Sequence, residues 1–327
     1  MSRHLPFAAI CLLLLVVGVG CGDDVCSDPS LIGAAAAGQT VVADGCRIEG
    51  DVRVPSGVTF EGRGGAVVAG QVVLEPGSRL VGVIVESPGP TGVLATGATG
   101  DAESVVLERV EVRPTSGVAV RIEGLGASLT NVVLSGTVDR DNADAVPPMP
   151  ESSEWPTHGL LLVDAGSTAS PVSLDDVSIN GFARFGALFR NSHVIWRGGE
   201  ASRNLTVGAM AERGTLTLEG VGFRENYQGV QPYPAFGAVF TAGIEVSSTD
   251  LEARGNEGYG VLHDGATAGH VDLLASDNGD AAVWVQSSSA FMLAGASSSL
   301  SGNRLAGIVV VDSPNAMIQD ATIVTSV

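Results

Sequence analysis

SGNRLAGIVVVDSPNAMIQDATI, residues 301–323, places Asn303 beside a Gly, follows it with Gly307 and a four-residue apolar run, and never forms the i, i+3, i+4 pattern of an amphipathic helix. The same phrase recurs upstream. Asn180, Asn204, Asn226, Asn256, Asn278 and Asn303 are separated by 24, 22, 30, 22 and 25 residues. Most are followed within a few positions by Gly and an apolar run, as in Gly229-Val230 and Gly260-Val261-Leu262. Before each lies a segment of alternating polarity, such as Leu216-Thr217-Leu218-Glu219, whose period of two predicts a half-buried strand. A fixed period in this range is the mark of a solenoid. Helical repeat arrays would need helices of about ten residues or more, and a chain with 44 Gly and abundant Val does not supply them.

The reading is therefore all-β: one domain of parallel β-helix, in coils of about 22 to 25 residues, each pairing with the coil below. The Asn residues are expected to be architectural, because Asn tolerates left-handed backbone angles at a tight corner and stacked amides bond one another. Strand-sized apolar stretches continue upstream, including Val58-Thr59-Phe60, Val72-Val73-Leu74 and Val105-Val106-Leu107, with no linker-like break. The β-helix should thus occupy residues 39–327. The last strand, at 321–327, has no cap after it in the sequence. Either the repeat array is longer or a partner covers that end.

Composition excludes several functions. All seventeen basic residues are Arg, so lysine Schiff bases and P-loop nucleotide binding are ruled out, and a net charge of −19 disfavours nucleic acid as a partner.

The N-terminus reads as an address. Arg3 and His4 precede an apolar run ending in Gly18-Val19-Gly20, just before Cys21. This resembles a bacterial lipoprotein signal, although Gly18 stands where the usual pattern has Leu. The resemblance implies that residues 1–20 are removed, that Cys21 carries a lipid anchor followed by a tether over residues 21–38, and that the protein is an outer-membrane or cell-surface lipoprotein. An ordinary secretory signal is the alternative, and either one exports the chain. In an oxidising compartment Cys26 and Cys46, with no His beside them, are expected to form a disulfide stabilising by about 3 kcal/mol.

The repeat resembles the right-handed parallel β-helix proteins of the pectate-lyase-like class. That resemblance covers residues 180–323 well and implies fold more than function, since the class holds lyases, hydrolases, epimerases, adhesins and non-catalytic arrays. Two stretches break the short-turn pattern. Residues 136–158 carry Asp139, Asp141, Asp144, Trp155 and His158, and residues 231–243 carry Tyr233 and Phe236. Long loops on a rigid scaffold are often functional, and counting by Asn places these two at different corners. Trp155, Tyr233 and Phe236 are the candidate ligand-binding rings, whereas Trp196 and Trp284 read as core. For an enzyme, Asp175 and Asp176 offer adjacent carboxylates, and His158-Gly159 resembles the HG element of β-helical polygalacturonases, whose downstream Arg-x-Lys is impossible here. Strand alternation should turn one of those two Asp outward and leave the other bonded in a turn. A lyase would use Ca²⁺ on Asp139, Asp141 and Asp144, although their spacing lacks an EF-hand's central Gly and terminal Glu. The expectation is a cell-envelope protein with a structural or carbohydrate- or surface-binding role, without a cofactor. A polysaccharide-active enzyme, a lyase before a hydrolase, is the alternative.

Overall fold

The computed structural model describes residues 22–98, 103–142, 156–228 and 234–324, and it is a right-handed parallel β-solenoid of about 11 turns with coils of about 23 residues. Three parallel sheets run along the axis. Sheet 1 extends from Thr40–Asp44 to Ala316–Ile318, sheet 2 from Arg47–Glu49 to Thr322–Ile323, and sheet 3 from Val52–Val54 to Ala306–Val311. Strands Val172–Asn180, Phe185–Ser202 and Val207–Glu219 bend through corners and so belong to more than one sheet.

Alternation decides the core. In Ile244–Thr249 the side chains of Ile244, Val246 and Ser248 are buried and those between them are exposed. Inside the solenoid they stack coil on coil, as Phe189 and Phe223 do edge-on against the wholly buried Trp196. Corners are turned by residues in the left-handed region. Between sheets 1 and 2 these include Gly82 (φ 64°), Asn131 (φ 52°), Asp176 (φ 53°) and Asp272 (φ 56°).

Between sheets 2 and 3 the left-handed residue is not the repeating Asn but the one before it: Arg203, Glu225, Gly255, Asp277 and Gly302. The Asn contributes its side chain instead. Asn204 Nδ2 donates to Asn226 Oδ1 (3.2 Å), Asn226 to Asn256 (2.8 Å), Asn256 to Asn278 (3.0 Å) and Asn278 to Asn303 (2.8 Å). Each of these Oδ1 atoms also accepts the backbone N–H of the Asn one coil earlier, and each of Asn226, Asn256, Asn278 and Asn303 gives its second amide proton to a carbonyl. Asn180 stands outside this ladder. It pairs in register with Ser202, two residues short, and Phe182, whose N–H donates to Asn204 Oδ1, takes the ladder position in that coil.

Residues 22–33, read above as part of a tether, form two short helices, Gly22–Ser27 and Ser30–Gly33, that close the first coil with Val25 and Ile32 buried. A Cys26–Cys46 disulfide (Cα–Cα 6.1 Å) fastens them there. At the far end Met317, Ile318, Ile323 and Val324 are exposed.

Apart from the Asn ladder, a cluster of buried histidines lies among the apolar stacks. His270 Nδ1 lies 2.6 Å from Ser248 Oγ, His270 Nε2 lies 2.9 Å from His263 Nε2, and His263 Nδ1 is buried without a partner.

Candidate functional site

Both insertions interrupt the same corner. The first separates strand Val133–Ser135 of sheet 2 from Pro156–Val163 of sheet 3, and the second separates Gly222–Arg224 from Phe236–Thr241. Sequence counting put them at different corners because the coil holding the first insertion has no Asn at its ladder position to anchor the count. Each insertion therefore delivers the chain into the start of a sheet 3 strand.

A cleft of about 650 Å³ opens at this corner, lined among others by Asp139, Arg140, Arg203, Glu225 and Tyr227. Glu257 ties the two insertions together: its carboxylate receives Arg140 from the first and the Gln228 N–H (2.9 Å) from the second. Tyr227 is buried against Val138, Ala183 and Leu205, and burial, reinforced by the charge of Asp139, raises its pKa and keeps the phenol protonated.

Of the residues proposed for calcium, Asp139 and Asp141 are described. Asp139 spends Oδ1 on the backbone N–H groups of Asp141 (3.0 Å) and Asn142 (2.9 Å), a local turn. Asp144 lies outside the described residues, as do Trp155, Tyr233 and Cys21. Among the described residues no three His, Cys, Asp or Glu side chains are grouped to hold a metal.

Asp175 and Asp176 are not brought together with His158. Asp175 points outward from sheet 1, accepting from Ser173 Oγ (2.7 Å) and facing Arg197 (3.6 Å), while Asp176 occupies a left-handed corner that every coil must fill. His158 is on sheet 3.

The outer face of sheet 3 carries the more telling arrangement. His158, Phe185, Val207, Phe236 and Tyr259 occupy one register position in five successive coils. Phe236 and Tyr259 stack (5.4 Å between centroids, 14° between planes), and Trp284 meets Tyr259 edge-on at 5.4 Å. Trp284 is thus half-buried on the outside rather than core, with Nε1 donating to Gln286 Oε1 (3.0 Å). At about 4.8 Å per coil the column is roughly 20 Å long.

His158 begins this column under unusual constraints. Register shifts between Gly117–Pro156 and Val118–His158, so Thr157 is an extra residue in a β-bulge. Bulges re-aim side chains, and this one lets neighbours that would otherwise face opposite sides come within 2.8 Å, Thr157 Oγ1 to His158 Nδ1. Phe185 packs on the imidazole at 5.3 Å. Burial, with the positive charges of Arg184 and Arg190, lowers the pKa of His158 to about 4, so the ring is neutral at pH 7. Arg190 has Glu212 at 3.5 Å, whereas Arg184 has no carboxylate partner among the described residues and its Nε is buried without a hydrogen bond. Sequence reasoning singled out His158 and Phe236 but missed Arg184, Phe185, Tyr259 and the outward turn of Trp284.

No family model matches the sequence, and no curated protein does. Among solved structures the chain is similar to the A-module of the mannuronan C-5 epimerase AlgE4 of Azotobacter vinelandii, at 15% identity and a TM-score of 0.54, covering 92% of this chain and 92% of that one. It is also similar to a mutant of the periplasmic alginate epimerase AlgG, at 10% identity and a TM-score of 0.54, covering 90% of this chain and 82% of that one. Likeness at such identities establishes architecture alone: the chain has the right-handed parallel β-helix fold of these two proteins.

Proposed function

We propose that this protein is an exported, lipid-anchored polysaccharide-binding protein that holds an extended glycan along the outer face of sheet 3. The observation that carries this reading is the column of rings set one coil apart, Phe185, Phe236 and Tyr259 with Trp284 beside it. Pyranose C–H faces stack on such rings, and the coil repeat approximates the length of one sugar in an extended chain. The fold is shared with epimerases whose names specify mannuronan and alginate, so polymers of that kind come first in a glycan panel. Phe236→Ala and Tyr259→Ala should each weaken glycan binding about tenfold, the equivalent of about 1.4 kcal/mol, with little change in melting temperature. Unaltered affinity in both variants would remove this face from consideration.

Anchoring is tested separately. The mature protein should partition into detergent, and Cys21→Ser should release it or leave it unprocessed. Membrane association that survives this change would rule the anchor out.

The environment of His158 favours a second reading, catalysis on the bound glycan. The neutral imidazole has a lone pair that can take a proton from a carbon next to a carboxylate, and the guanidinium groups of Arg184 and Arg190 would stabilise the negative charge that develops on the substrate. In D₂O, polymannuronate incubated with the protein should acquire deuterium at C5, and His158→Gln should slow this at least a hundredfold, taking about 10²–10⁴ as the usual worth of a general base. Absence of exchange with the unmodified protein would leave binding alone.

A further inference from the structure

The bulge at the start of strand Pro156–Val163 determines more than where His158 points. Gly117, whose carbonyl faces it, is fixed in place: it is left-handed (φ +70°), and a Cβ there would stand 2.1 Å from Pro90 O. Thr157 Oγ1 lies 3.0 Å from Gly117 O and 2.8 Å from His158 Nδ1. A carbonyl only accepts, and a threonine hydroxyl has one proton, which therefore goes to Gly117 O. The contact with His158 also requires a proton between the two atoms. It can come only from the imidazole.

We infer that Thr157 fixes the proton of His158 on Nδ1 and so presents Nε2 as a bare lone pair, making Thr157 a positioning residue of this site. The opposite tautomer would set two lone pairs against each other at 2.8 Å or break the Thr157–Gly117 hydrogen bond. Burial and the neighbouring Arg184 and Arg190 keep a second proton off the ring, and Nε2 has no protein partner among the described residues. The use of that lone pair in catalysis rests on the second reading above, but the position of the proton does not.

Histidine ¹⁵N shifts at pH 7 test this directly, with the His158 signals identified by their loss in His158→Gln. The expected spectrum shows Nδ1 protonated and Nε2 bare in the unmodified protein and in Thr157→Ser, and a shift toward the Nε2–H form in Thr157→Val. An Nε2–H or doubly protonated ring in the unmodified protein overturns the inference, as does a Thr157→Val spectrum identical to it. Should Thr157→Val fail to fold, the unmodified protein and Thr157→Ser still decide. The expected tautomer without deuterium exchange into polymannuronate would support the inference while ending the catalytic reading.

Discussion

Asn256→Asp is expected to destabilise the protein by about 4 kcal/mol, although it exchanges one amide for a nearly isosteric carboxylate. Asn256 is 1% exposed, and its Nδ2 donates to both Asn278 Oδ1 (3.0 Å) and Phe223 O (3.1 Å). A carboxylate puts an acceptor where two acceptors already wait. Each bond lost in this way costs about 1–3 kcal/mol, and a buried charge without a counterion adds to it. For a chain of this size the melting temperature should fall by roughly 10 °C in thermal circular dichroism. Because each coil touches only its neighbours, amide exchange should accelerate first between residues 226 and 278. A melting temperature within about 2 °C of the parent would mean that the ladder contributes little.

The buried histidines give the second large effect. Burial lowers the pKa of His270 to about 4, and burial together with the nearby His270 lowers that of His263 still more strongly. Ser248, Phe240 and Phe291 pack against the pair, and no charged group bonds or stacks with it among the described residues. The unfolded chain takes up these protons near the ordinary value of 6.5, whereas the folded chain does so only at lower pH. Stability is therefore complete above pH 6.5 and is lost as pH falls toward 4. The shift of His270 alone is worth about 3 kcal/mol over that window. Surface ion pairs would act elsewhere: hydrogen bonds from Arg63 to Glu61, from the Ser56 N–H and Arg53 to Glu75, and from Arg47 to Glu86 lower those carboxyls below 4.5, so their losses fall at more acid pH. Urea unfolding at pH 7 and pH 4.5 should show the loss, and a His263→Leu, His270→Leu double variant should be markedly less sensitive between the same two values. Equal pH sensitivity in parent and variant would place the effect outside the core.

The solenoid was legible because corners and strands repeat in composition: a small or left-handed residue, an Asn, then an apolar run. Its phase was less so. Phe182 fills a ladder position with a buried ring, so the nearby Asn180 reads as a rung in the sequence although it lies two residues early. Gly181-Phe182, aligned with Gly255-Asn256 and Gly302-Asn303, was the available signal, since the left-handed residue marks the corner more faithfully than the amide does. Trp284 reads as core in the sequence because Ala281 to Val285 are all apolar; only register against Leu262 shows that it faces out. The bulge at Thr157 could not be read at all. It exists only as a mismatch between two strands 40 residues apart.

The constant corner makes the molecule a gauge. From Asn204 to Asn226 one coil is 22 residues, and it begins and ends on the same amide in the same surroundings. Excising residues 204–225 would shorten the protein by one rung without altering its cross-section. It would also bring Phe236 onto Phe185, closing the interval that Val207 leaves in the row of rings. On the proposed glycan-binding reading, the number of coils would set how many sugars the face can span, and that length could be changed in whole units independently of the chemistry at either end.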